Sequence, residues 1–337
     1  MTFKNCKIAL RQEFCGILSK TNLRRTSLMK KSVLALTLIL CLVFSTACSA
    51  GDSTKDKKNE KETEKTEEVK AETEATKDEG KGDALTFDEL TVNEQIIVDQ
   101  DGVVITVKSF ENDESHGPTF ILQIENTTDK DLIMNSDMAT VNGITVDTML
   151  ACDVMAGDIV EEELYINKYD LEISGITTIK DIEISFSAYD MATYTIIFES
   201  DVVMFSTNVD AKFIQSIDDS GIAVYEESGI RVVMKEVVII NENGDMYLRI
   251  FVENSTDVSV SVSTGNVFVN GSPITASFAS YVPAGKVDYV YMAFGTDDLK
   301  ANEIVSINEI EFSLYGYEFD SLEELFTKDN IKISIAE

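Results

Sequence analysis

Residues 120–143 read FILQIENTTDKDLIMNSDMATVNG, and residues 248–271, 128 positions further on, read LRIFVENSTDVSVSVSTGNVFVNG. Glu125-Asn126 and Thr128-Asp129 return as Glu253-Asn254 and Thr256-Asp257, and Val141-Asn142-Gly143 returns as Val269-Asn270-Gly271. At the same offset Ala156-Gly157 meets Ala284-Gly285, Asp170-Leu171 meets Asp298-Leu299, and Ile182-Glu183 meets Ile310-Glu311. Tyr189, Phe198 and Asp201 then meet Tyr317, Phe326 and Asp329. Upstream, Gly102 pairs with Gly229 at an offset of 127, which leaves one extra residue in a loop of the second copy. A gapless run of this length marks an internal repeat, and repeats decide the architecture before any local reading does.

The repeated unit alternates with a period of two, the pattern of half-buried antiparallel strands. Phe120, Leu122 and Ile124 point one way and Ile121, Gln123 and Glu125 the other; Leu248, Ile250 and Val252 repeat the inward set. Ile182, Ile184 and Phe186, matched by Ile310, Phe312 and Leu314, form a second such strand. Val103–Val107 and Ile230–Met234 are expected to open the two copies, and Val202–Ser206 and Ile331–Ile335 to close them. Asn142-Gly143 and Asn270-Gly271 suit type I′ hairpin turns, where both central residues need positive φ. Short helical turns are expected at Tyr169–Ser174, Asp297–Asn302 and Ser321–Phe326. The fold class is therefore all-β: two tandem Ig-like antiparallel β-sandwich domains, at 85–208 and 209–337, each of about seven strands.

The pattern E-N-[ST]-T-D, then V-N-G, A-G-[DK], D-L and I-x-x-I-[KN]-x-I-E-[IF]-S-[FL] occurs in both copies. It resembles Ig-like extracellular domains of unknown function found in Gram-positive bacterial lipoproteins. The resemblance covers most of 85–337 and implies a β-sandwich and an extracytoplasmic location. It brings no catalytic residues with it.

Residues 1–48 read as a signal region. Met29-Lys30-Lys31 precedes an apolar run from Val33 to Phe44 broken only by Thr37, shorter than the roughly 20 residues that span a bilayer. Ser45-Thr46-Ala47-Cys48 resembles the lipobox of bacterial lipoproteins, with Ser45 where an aliphatic residue is usual. Cys48 is the expected lipidation site and the mature N-terminus; the alternative is an ordinary signal cleaved after Ala47 that leaves a free cysteine. Residues 1–28 precede a complete signal, so Met29 is the expected start and a long leading region the alternative. From 49 to 84, 20 of 36 residues are charged and almost none can be buried, so a disordered Lys/Glu-rich tether is expected.

Charge bounds the partners. Residues 1–48 carry 8 bases against 1 acid, the tether 8 against 12, and the remaining 253 residues 12 against 47. Such a body is repelled by nucleic acid. The charge reads as solubility and self-repulsion, or more sharply as a cationic or divalent-metal partner. Asp99-Gln100-Asp101-Gly102 begins like a calcium loop but lacks an oxygen ligand at Val103 and a glutamate at Phe110. Ile217-Asp218-Asp219-Ser220-Gly221 is a second acidic turn without fixed ligand spacing, and turn chemistry accounts for both.

Catalytic players are few. His116 is the sole histidine, in the loop 111–118, and Cys152 aligns with Ser280 as a small buried residue. No nucleophile elbow, zinc-protease, phosphate-loop or dinucleotide motif occurs. Asn126 and Asn254 suit Asx-turns that hold a loop, and Tyr189 and Tyr317 read as packing residues at a strand end. No catalytic, cofactor-binding or metal-ligating residue is assigned. Binding specificity is expected where the two copies differ.

These readings converge on a non-enzymatic surface lipoprotein. Its expected partners are the membrane, through the lipid anchor at Cys48, and an unknown protein or envelope ligand, with no nucleic acid. The alternatives are a solute-binding receptor subunit of a transporter, which needs α/β lobes with long helices, and a calcium-stabilised adhesion module.

Overall fold

The computed structural model describes residues 84–113, 116–239 and 246–335. The expected signal region, Cys48 and all but the last residue of the expected tether lie outside the described residues. In the first half the chain runs η1 (Phe87–Glu89), β1 (Gln95–Gln100), β2 (Val103–Asp113), β3 (Gly117–Asn126), β4 (Leu132–Val141), β5 (Ile144–Val146), β6 (Thr148–Met149), β7 (Ala151–Val154), β8 (Ile159–Ile166), α1 (Lys168–Ser174), β9 (Asp181–Asp190), β10 (Ile196–Glu199) and β11 (Val203–Ser206). The second half runs β12 (Ile222–Glu227), β13 (Ile230–Ile239), β14 (Met246–Asn254), β15 (Val260–Val269), β16 (Ser272–Ile274), β17 (Ala276–Ser277), β18 (Ala279–Val282), β19 (Val287–Phe294), α2 (Thr296–Ala301), β20 (Glu309–Glu318) and β21 (Glu324–Ser334).

Each half packs two sheets face to face. In the first, β1-β2-β3-β8-β6 opposes β9 and β4, with β10 and β11 on the free side of β9 and β5 and β7 on β4. In the second, β12-β13-β14-β19-β17 opposes β21-β20-β15, with β16 and β18 on β15. The two arrangements correspond, with β21 taking the place of both β10 and β11. Asn142 (φ 53°) with Gly143 (φ 84°), and Asn270 (φ 50°) with Gly271 (φ 82°), make the β4–β5 and β15–β16 hairpins. Both central residues sit at positive φ there, as the type I′ turn requires.

The strands form where alternation lets one face be apolar. Val103, Ile105 and Val107 of β2, with Phe120, Leu122 and Ile124 of β3, are fully buried. They join Ile182, Ile184 and Phe186 in the first core. Val232, Met234, Leu248, Ile250, Phe312 and Leu314 build the second.

The two halves do not merely follow one another. Val233, Phe251 and Tyr289 lie on the outward face of the second half's first sheet, yet they are buried within the first half's core cluster. Phe213 from the connecting segment, with Val287 and Tyr291 of β19, packs around them. A parallel bridge pairs Ile144 of β5 with Val287 of β19, and so joins the first half's second sheet to the second half's first. Lys286 pairs with Glu183 across the joint, and Asn142 Nδ2 donates to Gln215 Oε1 at 3.1 Å. The joint is therefore fixed by an apolar seam, a backbone bridge and polar ties together.

Several sequence expectations need correcting. The opening strands are β1 and β12, one strand earlier than Val103 and Ile230. A bulge between Ile96 and Val98, repeated between Ala223 and Tyr225, breaks the alternation that would have exposed them. Ser321–Phe326 is no helix: Leu322 turns at φ 61° and β21 starts at Glu324. That path sends Phe326 inward, where its ring stacks on Tyr225 at 3.8 Å and lies against Gly316. A Cβ at Gly316 would stand 2.0 Å from the Phe326 ring, so glycine is required there. The closing strand of the first half is split into β10 and β11, whereas β21 runs through a bulge at Asn330 (φ 56°).

Candidate functional site

Asn126 and Asn254 tie loops together. Asn126 is fully buried; its Nδ2 donates to Lys130 O (2.7 Å), Val154 O (2.9 Å) and Met155 O (3.1 Å). Its Oδ1 accepts from Thr128 N (3.0 Å) and Thr128 Oγ1 (2.6 Å). Asn254 repeats the pattern on Val258 O, Val282 O and Pro283 O, with Thr256 in place of Thr128. The amide is an Asx-turn that also pins a strand end 28 residues away. With every polar atom engaged inside the fold, it has nothing left to offer a ligand.

The acidic turns are engaged as well. Asp101 (φ 53°) and Gly102 (φ 84°) form the β1–β2 turn, and Asp101 Oδ2 accepts from Gln100 Nε2 at 3.0 Å. Asp218 accepts from Ser220 Oγ at 2.6 Å and pairs with Lys235 at 2.9 Å. The Ser220 hydrogen bond and Lys235 hold its carboxyl down at about 2. Asp219 pairs with Arg231 at 2.7 Å. The Lys235 side chain is 2% exposed, so Asp218 and Lys235 together fasten the connecting segment onto β13. Tyr289 donates its hydroxyl to Asp218 O at 2.8 Å, and the Arg249 guanidinium lies 5.1 Å from its ring centre.

Asp170 of α1 shows what the joint does to a carboxyl. Its Oδ2 accepts from Asp147 N at 2.6 Å, and burial, with Asp147 and then Asp288 of the second half nearby, raises it well above the usual carboxylate range. Asp298, the matching residue, makes the same bond to Thr275 N at 2.8 Å; the Thr275 hydrogen bonds hold it below that range. Elsewhere, His116 is exposed beside Asp113 (3.1 Å) and packs on the Tyr165 ring at 4.6 Å. Cys152 is buried, and burial, followed by Glu162 and Asp153, pushes its thiol up to about 12. Such a thiol is a poor nucleophile. Among the described residues no group of three or more His, Cys, Asp or Glu side chains is placed to hold a metal ion.

No protein-family model and no curated protein matches the chain. Among solved structures it is similar to the YadV chaperone, at 11% identity over 69% of this chain and 100% of that one, with a TM-score of 0.22. A Salmonella enterica SafA pilin in complex with the SafB chaperone follows at 14% identity, covering 64% of this chain and 89% of that one, with a TM-score of 0.18. A protein of unknown function from Porphyromonas gingivalis W83 stands at 13%, covering 65% and 91%, with a TM-score of 0.20. No functional reading rests on likenesses this slight.

The halves also differ on the outward face of the second sheet. In register, Tyr281 of β18, Ser261 of β15 and Tyr317 of β20 form one row across three strands. Ala279, Ser263 and Tyr315 form the next. Directly opposed residues of antiparallel strands share a face, and Val260 and Val262 between the serines point into the core. Phe319, whose backbone N–H donates to Ser259 O, sets its ring 4.2 Å from that of Tyr281. The four aromatic residues are partly buried and reach solvent with the rest of their surface. Gly265 underlies Tyr315: a Cβ there would stand 2.7 Å from the ring, so glycine lets the tyrosine lie against the strand.

The first half has no such face. The matching rows are Asp153, Ile133 and Tyr189, then Ala151, Asn135 and Ser187. Asp137 replaces Gly265, and its carboxylate accepts from Ser187 Oγ at 3.0 Å. Tyr317, expected as a packing residue at a strand end, stands in the outward row beside Ser261, and the sequence carries the pattern: tyrosine at 315 and 317 on a strand facing serine at 261 and 263. Reading it required the pairing register, which sequence alone did not supply.

Proposed function

We propose that the chain is a non-catalytic binding module held outside the cell by a lipid on Cys48. In this reading it is two tandem Ig-like sandwiches of the kind carried by Gram-positive lipoproteins, set behind a charged tether. The observation that carries the binding role is the tyrosine and serine face of the second half, where three tyrosines on neighbouring strands, with Phe319 beside them, are only partly buried. Tyrosine offers large, rigid, amphipathic contact area at low entropic cost, and serine and glycine add adaptable hydrogen bonds. The anchor reading is supported by the apolar run before Ala47-Cys48, since two acyl chains give stable membrane attachment at about 0.8 kcal/mol per buried CH₂.

Two experiments separate the parts. Palmitate labelling and detergent partitioning should place the parent in the membrane fraction and release Cys48→Ser; an unlabelled parent would refute the anchor. Residues 85–337 immobilised on resin should retain a defined envelope component, and the Tyr281→Ala, Tyr317→Ala double variant should lose it. Equal retention by both proteins would refute the binding role of this face.

A further inference from the structure

We propose that the tyrosine face of the second half is a binding site for a neutral, hydroxyl-rich glycan. The inference rests on the reading of the chain as a binding module and names the ligand of that same face. Tyr281 and Tyr317 flank Ser261 on neighbouring strands, which puts their Cα atoms about 9.5 Å apart, twice the strand spacing. That is close to the length of a β-linked disaccharide. Along β15, Ser261 and Ser263 repeat at about 6.8 Å and carry hydroxyls between the rings.

A pyranose ring presents apolar C–H faces and a rim of hydroxyls. The aromatic ring faces carry the negative side of the quadrupole and attract the C–H faces; the Ser261 and Ser263 hydroxyls and those of Tyr315 and Tyr317 can take the rim, while Tyr281 Oη donates to Ser259 Oγ at 3.3 Å. Tyrosine and serine also serve protein recognition; the ring spacing and the hydroxyls between the rings are what favour a sugar chain here, and capture of an envelope protein without saccharide binding is an outcome of the test. The rows hold tyrosine, serine and alanine, and neither an aliphatic knob nor a cation.

Charge narrows the ligand further. The rows themselves are uncharged, while residues 85–337 carry 47 acids against 12 bases. An anionic polymer would be repelled by that body. The two carboxylates beside Tyr317 are engaged locally: Glu318 accepts from Ser321 Oγ at 2.7 Å and Glu324 from Thr327 Oγ1 at 2.9 Å. Those bonds leave the carboxylates charged, but neither lies in the rows, so a polycation would be held by the acidic body at large and not by the rings. The uncharged rows suit a neutral ligand.

The test is a titration of the full chain carrying Cys48→Ser against cellohexaose, chitohexaose and laminarihexaose, with polygalacturonate and oligolysine as charged probes. Binding is read by calorimetry; the chain has no Trp to mask tyrosine fluorescence, and the part of that signal lost in the Tyr281→Ala, Tyr317→Ala variant reports the face. We expect saturable binding of at least one neutral hexasaccharide, weakened about tenfold or more by Tyr281→Ala with Tyr317→Ala. Ser261→Arg, which fills the space between the rings and removes no apolar surface, should weaken it similarly. Tyr194→Ala, a change at a 68% exposed tyrosine of the first half, should leave it unaltered. Melting curves must show each variant folded. No neutral saccharide bound up to roughly 10 mM, binding unchanged in both face variants, or preference for oligolysine would each overturn the proposal. If every saccharide fails but envelope capture still depends on Tyr281 and Tyr317, the ligand class alone is wrong. If capture is also indifferent to them, the binding reading of the face goes with it.

Discussion

Removing the buried amide at Asn126 should be among the costliest single changes in the first half. In Asn126→Ala the carbonyl of Val154 loses its donor in a buried setting, and those of Lys130 and Met155 lose theirs in a partly solvated one. A buried orphaned carbonyl costs about 1–3 kcal/mol, and each part-exposed hydrogen bond about 0.5–1.5 kcal/mol. The Asx-turn contact to Thr128 is lost as well, so the expected destabilisation is about 3–5 kcal/mol. Asn254→Ala should cost at least as much, because Val282 O and Pro283 O are both buried. Total stability of a domain is commonly about 5–15 kcal/mol, so either variant should shift the urea midpoint far down. The assay is urea unfolding followed by circular dichroism, with the m-value checked for constancy. A loss below about 1 kcal/mol in either variant would refute the claim that the repeated asparagine is the tie between the loops.

Other outcomes follow from the joint and its carboxyl. Phe251→Ala should cost about 3–5 kcal/mol and lower the melting temperature of the first half too, because Phe251 belongs to that core; a loss confined to the second half would contradict this. Asp170 is raised in the folded protein, so above the ordinary carboxylate range, near pH 4, the unfolded state releases its proton before the folded state does. Its contribution to stability therefore falls from about pH 4 upward through the folded value. Asp170→Asn should gain on the parent steadily as pH rises, while Asp298→Asn, whose residue is lowered in the fold, should fall behind as pH rises towards about 4 and stay behind by a constant amount above it. Parallel stability–pH curves for the parent and Asp170→Asn would contradict the burial of that carboxyl.

The sandwich was legible because its core positions obey a strict alternation, and because the Asn-Gly turns at 142–143 and 270–271 have one backbone solution. The strands β1 and β12 were missed for a physical reason: a bulge places two successive residues against one partner, so Ile96-Ile97-Val98 reads as a run without a period. The helix expected at Ser321–Phe326 failed because Phe326 is claimed by Tyr225 and Gly316, a tertiary demand that outweighs local propensity. The joint was invisible for a related reason. Val233, Phe251 and Tyr289 sit on the outward face of ordinary strands, and only the arrival of the first half makes those positions buried. Thr106, Gln123 and Glu161 hold the matching positions in the first half. That difference could have signalled the interface, just as Tyr315 and Tyr317 opposite Ser261 and Ser263 could have signalled the candidate site.

The central claim is that two copies of one sandwich are locked into a single body that presents the tyrosine face. Backbone N–H residual dipolar couplings, collected for both halves in one aligned sample, test it most directly. One alignment tensor should fit residues 85–208 and 209–335 alike, since Val287, Lys286 and Phe251 hold the halves at a fixed angle. Two tensors of clearly different magnitude would mean that the halves reorient freely, and would contradict the account.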